Sequence, residues 1–273
     1  MLKLNLKQKL ALCAVIAAGA TAPVLASHSW GGYHWVRTAA EINVPVGDNV
    51  DSRWDSYLSR AVTDWNTSTV INSSLGAGSA NPKNCRGVAG TIQVCNSTYG
   101  NTGWLGIASI SISGGHISQG TTKLNDTYFN TAQYNTPAWR AMVTCQEVGH
   151  DYGLAHQDEN FSNYNLGTCM DYTNAPDGGV VGGFNYGPGN RYPNAHDYDE
   201  LNTIYNHLES GMTIGGSGRG NSGADIGDTP ATWGRAIHFT ADGRPDLFER
   251  IDGPGQKTLT HVLWALGEGP RGR

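Results

Sequence analysis

The strongest constraint on this chain is the stretch from Thr144 to Tyr172. Gln146, Glu147, His150, Gly153 and His156 fall in eleven consecutive positions, and thirteen residues separate His156 from Met170-Asp171-Tyr172. The sequence around the first part reads as a helix over 137–152, with Thr136 as its cap and Pro137 at its first position. Four residues apart on a helix, Gln146 and His150 share a face about one turn apart and reach one metal ion. Glu147 lies on an adjacent face, within reach of a water beside that ion. Gly153 ends the helix with positive φ, which only Gly adopts cheaply. The chain then doubles back and brings His156 as a third ligand. Three protein ligands leave a fourth position for water, the plan of a catalytic rather than a structural zinc site.

The chemistry follows from that set. Zinc lowers the pKa of a water to about 7 and polarises a scissile carbonyl. Glu147 takes the proton as the water attacks and passes it to the leaving amine. The expected cofactor is Zn2+, and the expected partner is a peptide or protein substrate.

Residues 1–26 read as a secretory signal peptide. Lys3, Lys7 and Lys9 precede an apolar run from Leu10 to Ala20, and Val24 and Ala26 are small enough for the cleavage site. The apolar run is too short to span a bilayer, and no other segment is long and apolar enough, so no membrane segment is expected after its removal. The expected location is secreted, extracellular or periplasmic. Without residues 1–26 the chain carries 15 basic and 23 acidic residues, a net charge of about −8. That excludes general binding to nucleic acid or anionic membrane, both of which need a basic face.

Export also bears on the cysteines. Cys85, Cys95, Cys145 and Cys169 remain, and an even number in an exported chain suggests two disulfides. Three pairings are possible, with the local choice, Cys85–Cys95 and Cys145–Cys169, preferred. The rival is a zinc site made from all four.

Along the chain, Tyr33 to Ala39 reads as a first strand. A helix over 52–66 follows, with Asp51 as cap and Trp54, Leu58, Ala61, Val62 and Trp65 on one face. A short strand lies within Val88 to Val94. Trp104 to Ser113 alternates cleanly, Gly114-Gly115 turns, and His116 to Leu124 returns. His196 to Leu208 is a second clear helix, with Leu201, Ile204, Tyr205 and Leu208 inward. Residues 211–230 are a Gly/Ser-rich linker. Residues 231–273 form a small β-rich module, with strands at 236–240, 246–251 and 259–265. This tail is too small to bury a core alone, so it either docks on the main domain or folds marginally.

Gln146 to His156, followed by Met170-Asp171-Tyr172, resembles the metzincin superfamily of zinc metalloendopeptidases, with Gln146 where the family has the first His of H-E-x-x-H-x-x-G-x-x-H. Secreted bacterial members of matrixin or serralysin type are the nearest sort. The resemblance spans a catalytic domain over 27–210 and implies an α/β (α+β) fold. Its parts are a twisted mixed sheet, an active-site helix, a Met-turn at Met170 and a C-terminal helix, with the tail as an appendage. It implies that Met170 lies beneath the zinc and that Tyr172 stands beside it to stabilise the oxyanion. A Cys145–Cys169 bond would then lock the metal-bearing helix to the Met-turn. A substrate would lie extended against the sheet's edge strand, with 116–125 rather than 104–113 taken as that edge.

The chain departs from the family pattern in two ways. Gln146 offers a neutral amide oxygen, a weaker donor than imidazole. It ligates through that oxygen, or a water replaces it, or catalysis has been lost. The first is the expectation. The family's long pro-segment also has no room before the first strand, so the enzyme is exported active or with low activity. The expected function is a secreted zinc-dependent endopeptidase acting as a monomer. The alternative is a weak or inactive exported binding protein on the same scaffold. His116 is a candidate for substrate contact. His196 and Asp197 read as a cap or packing pair, and Asp158 and Glu159 as solvated surface. His28, His34, His207, His238 and His261 carry no motif.

Overall fold

The structure is a computed structural model that describes residues 28–209 and 225–270. The signal peptide and most of the linker read from the sequence lie outside the described residues. In chain order the elements are β1 (Val46–Asn49), α1 (Asp55–Trp65), β2 (Leu75–Ala77), β3 (Ile92–Ser97), β4 (Trp104–Ser113), β5 (His116–Asn125), α2 (Asp126–Phe129) and α3 (Pro137–Asp151). They continue with β6 (Val180–Val181), β7 (Phe184–Asn185), α4 (Ala195–Ile204), α5 (Pro230–Trp233), β8 (Arg235–Phe239), β9 (Pro245–Gly253) and β10 (Gln256–Trp264).

The chain is α/β, built on an eight-stranded mixed sheet in the order β2-β1-β3-β5-β4-β10-β9-β8. The pairs among β2, β1, β3 and β5 are parallel. From β5 through β4, β10 and β9 to β8 every pair is antiparallel. The tail therefore docks as three strands of the main sheet. The sheet also corrects the expected cleft edge: β5 is interior because β3 pairs with it on the side away from β4, and β4 is interior because β10 pairs along its other side.

α3 crosses the sheet over β4 and β5, and α1 packs on its far side. Thr136 accepts from the Trp139 N–H and Pro137 fills the first turn, so this helix starts where its sequence dictates. Its middle is buried on every side, as a helix held between a sheet and a second helix must be. The main core lies here, with Trp54 at the N-cap of α1 and Leu58 and Trp65 within it, Val143 and Val148 of α3, and Ile110, Leu259 and Leu263 from the sheet. A smaller core on the opposite face holds Trp104, Ile107, Trp233, Phe248, Val262 and Trp264. Side chains of a strand alternate between faces, so Leu259, His261 and Leu263 of β10 face α3, while Val262 and Trp264 face away.

Other expectations shift for local reasons. Residues 33–39 make a single bridge, Trp35 to Ile117, rather than a strand. The Trp35 backbone N–H donates to Tyr205 Oη, and its indole N–H to the Asp151 carbonyl. The segment covers the end of α3 instead of extending the sheet. Asp51 does not cap α1; its carboxylate accepts from the Arg53 guanidinium and Asn96. α4 stops at Ile204 and leaves Leu208 exposed. The chain is drawn off there because the Glu209 N–H donates to the Arg37 carbonyl and its carboxylate accepts from the Arg37 N–H.

Candidate metal centre and catalytic cleft

His150 lies in the last turn of the buried α3, and Gly153 turns the chain just beyond the helix end. Gly153 has φ +100°, and a side chain there would strike the Tyr33 carbonyl. The turn brings His156 back against α3. The Nε2 atoms of His150 and His156 then lie 3.0 Å apart. The other nitrogen of each ring is engaged elsewhere: His150 Nδ1 is 2.7 Å from the Leu154 carbonyl oxygen, and His156 Nδ1 is 3.6 Å from Glu159. A carbonyl oxygen only accepts, so His150 carries its proton on Nδ1 and Nε2 bears a lone pair. Two donor atoms at about 2.0–2.1 Å from one tetrahedral zinc would lie roughly 3.4 Å apart. The observed separation is close to that.

Burial, reinforced by the neighbouring imidazoles, pushes His150 well below the usual histidine range. Burial pushes His156 down to about 3. Both rings are therefore neutral, the form that ligates a metal. Gln146 is fully buried one turn before His150. Its Nε2–H donates to the Cys169 carbonyl at 2.8 Å, while its Oε1 is buried with no partner. An orphaned amide oxygen is costly in a core, and Gln146 stands one helical turn before His150 on the same side of α3. The donor set fits a zinc ion.

Glu147 is fully buried, and neither carboxylate oxygen has a partner. Burial, then Asp151 one turn on, pushes its carboxyl well above the usual carboxylate range. It lies directly under β4. A Cβ added at Gly106 would come within 2.6 Å of Glu147 Oε1, so only Gly lets β4 approach this carboxylate.

Met170 to Tyr172 pack around the loop that carries His156. The Gln157 N–H donates to the Met170 carbonyl at 2.7 Å, and the Tyr172 N–H to the Asp158 carbonyl at 3.0 Å. Met170 is fully buried, and its Sδ fills the space a side chain on Gly149 of α3 would take. The Tyr172 ring lies 4.2 Å from that of His156, and its buried hydroxyl has no partner. Cys145 and Cys169 form a disulfide that ties α3 to this turn, and Cys85 and Cys95 form the second.

One residue without a motif joins the centre. His261 of β10 stacks on His150 with ring centroids 4.1 Å apart, and its centroid lies 4.2 Å from that of His156. One nitrogen of each of the three rings lies within 4.8 Å of the others. Asp246 of β9 stands behind His261, its Oδ2 3.7 Å from Nε2. The sequence signal for His261 was a lone imidazole in the apolar run Leu259–Ala265, in phase with Leu259 and Leu263. Such phasing puts it on a core-facing side, where an imidazole needs partners. A cavity of about 370 Å³ opens to the centre, with Trp30, His156, Glu159, His238, Asp246 and His261 on its walls.

Asp158 and Glu159, read as solvated surface, are half-buried instead: Glu159 stands beside His156 on the cavity wall, and the Asp158 carbonyl accepts from the Tyr172 N–H. The other expectations fall outside this centre. His116 Nε2 lies 2.5 Å from Glu209, which also bonds His34 at 3.0 Å. Asp197 completes a capping box with Asn194 at the start of α4. Among the described residues no helix is long and apolar enough to cross a membrane.

No protein-family model matches the chain, and no curated protein matches it. Among solved structures it is similar to high choriolytic enzyme 1, a hatching-enzyme zinc protease from the medaka fish Oryzias latipes, at 14% identity and a TM-score of 0.36; the match covers 65% of this chain and 96% of that one. It is also similar to myroilysin, at 14% identity and a TM-score of 0.37, covering 66% of this chain and 99% of that one.

Proposed function

We propose that the chain is an exported zinc-dependent endopeptidase whose metal is held by Gln146, His150 and His156. The observation that carries this is the close approach of His150 Nε2 and His156 Nε2, 3.0 Å apart, where the loop after Gly153 returns His156 to the helix that bears Glu147. The chemistry a zinc ion supplies when bound there is Lewis-acid activation of a water and of the scissile carbonyl.

The rest is done by the chain's own groups. Glu147 accepts the proton released as the water oxygen bonds to the carbonyl carbon. It then gives that proton to the amide nitrogen as the C–N bond breaks, leaving a carboxylate and an amine. The low-dielectric setting of Glu147 favours this role, because a carboxylate with no partners is a stronger base than a solvated one. Tyr172, with its hydroxyl unpartnered beside His156, stabilises the oxygen that gains negative charge. Met170 supports the loop that positions His156.

A second reading, a non-catalytic binding protein on this scaffold, draws on the pairing of β10 along β4, which takes up the backbone groups an extended peptide would use. One experiment separates the two. Zinc is counted per chain, and cleavage of a generic unfolded protein is followed with and without chelator, in wild type and in Glu147→Ala. The peptidase reading expects about one zinc in both proteins and chelator-sensitive cleavage in wild type alone. Zinc retention with no Glu147-dependent cleavage supports the binding protein.

A further inference from the structure

We propose that His261 is itself a ligand of this metal, taking the coordination position that Gln146, His150 and His156 leave open. The C-terminal hairpin then holds the centre closed in the folded chain. This rests on the metal reading above and extends it to a residue outside the helix motif.

Three observations converge on it. The His261 ring stacks on His150 and stands edge-on to His156, at centroid distances of 4.1 and 4.2 Å. Its Nδ1 is buried with no hydrogen-bond partner, the state of an atom whose partner is a cation. Its Nε2 faces the Asp246 carboxylate at 3.7 Å, and a carboxylate behind the far nitrogen is the common way of orienting a metal-bound imidazole.

The backbone supports the same placement. In the pairing of β10 with β4, His261 lies opposite Ala108 and Thr260 opposite Ser109. The Ser109 and Thr260 hydroxyls are bonded at 2.8 Å on the face away from α3. Alternation then turns His261 toward α3, over the small side chain of Ala108, which leaves the imidazole room. The strand so fixed fills the side of β4 that an extended peptide would need.

This account also gives Gln146 a place. An amide oxygen with two imidazoles is a weak set for zinc, and a third imidazole strengthens it. With the hairpin docked the centre has four protein donors, the closed arrangement of a structural site. With the hairpin displaced it has three and an open position for water.

The test uses the full chain. Zinc affinity is measured by chelator competition in wild type, His150→Ala, His261→Ala and His261→Cys, and each protein is also loaded with cobalt(II) for its absorption spectrum. Loss of an outer-shell partner of a ligand already costs about 10–100-fold in affinity. His261→Ala should therefore weaken zinc by roughly tenfold or more. His261→Cys should retain cobalt and gain a sulfur-to-cobalt charge-transfer band that wild type lacks. A wild-type affinity in His261→Ala, or weakened zinc in His261→Ala with no such band in His261→Cys, overturns the inference. If His150→Ala loses zinc while both His261 variants keep it unchanged, the metal reading stands and only this proposal falls. A wild-type chain that holds no zinc defeats both.

Discussion

The imidazole of His261 lies stacked on that of His150, 4.1 Å between ring centroids and 30° between planes, although the two are 111 positions apart in sequence. One ring belongs to the helix that carries the metal motif and the other to a strand of the C-terminal hairpin. The contact makes the tail a wall of the centre, so changes to the hairpin should be felt in metal binding and in access to β4.

Glu147 is the first test of mechanism. Glu147→Gln keeps the volume under β4 and removes the base. Cleavage should fall by roughly 10²–10⁴-fold, the usual worth of general acid–base catalysis, with zinc content unchanged. Steady-state rates on an unfolded protein substrate measure it, and a loss under threefold, taken as about the scatter of such assays, would exclude Glu147 as the base.

The hairpin is the second. Val262 is fully buried among Trp104, Ile107, Trp233 and Phe248, on the face away from α3. Val262→Asp places a charge in that apolar core and should loosen β10 without touching a ligand. Chelator-sensitive cleavage should rise several-fold, about tenfold at most if release of the strand limits the rate. Hydrogen exchange reports the release directly. Amides of β10 that exchange quickly with no gain in cleavage would contradict a closing role for the strand.

How much of this was legible beforehand depends on what each residue's pattern encodes. α3 was readable because Thr136, Pro137 and the apolar spacing all specify one helix, and Gly153 ends it. β4 and β5 were readable from alternation around Gly114-Gly115. The place of β10 was not. Alternation says which side chains share a face, but not which strand lies alongside, and β10 pairs with a strand some 150 positions earlier. His261 was therefore an imidazole without a setting. Residues 33–39 misled for a related reason: Tyr33 and Trp35 favour strands, yet the Trp35 indole N–H donates to the Asp151 carbonyl, its backbone N–H to Tyr205, and the Tyr33 N–H to the Trp30 carbonyl.

The disulfide between Cys145 and Cys169 joins the residues directly before Gln146 and Met170, 24 positions apart in sequence. Replacing both by Ala should lower unfolding free energy by about 3 kcal/mol in the chain-entropy picture. It should also speed zinc loss to a chelator, because Gln146 is anchored through the Cys169 carbonyl. Unfolding curves and chelator kinetics measure the two effects. An unchanged rate of zinc loss would show that the turn holds its place without the bond.

Asp171 gives a pH dependence. Its Oδ2 accepts from the Leu166 N–H and from Asn190, its Oδ1 has no partner, and burial raises its pKa from 3.8 to about 7. Between those values the folded chain keeps a proton that the unfolded chain has released. Stability from this group is full below the unfolded pKa and is lost as pH rises toward the folded one. Asp171→Asn removes the titration and keeps an oxygen for both donors. The variant should gain on wild type by a few kcal/mol as pH rises from about 4 to about 7. Denaturant unfolding across that window tests it, and a constant difference between the two proteins would rule it out.

The most direct measurement is the zinc content of the full chain after exhaustive dialysis, in wild type and in His150→Ala and His156→Ala. About one zinc per wild-type chain and almost none in either variant is the result predicted by the facing imidazoles. Wild-type protein without zinc, or variants that keep it in full, would contradict a metal centre on these residues.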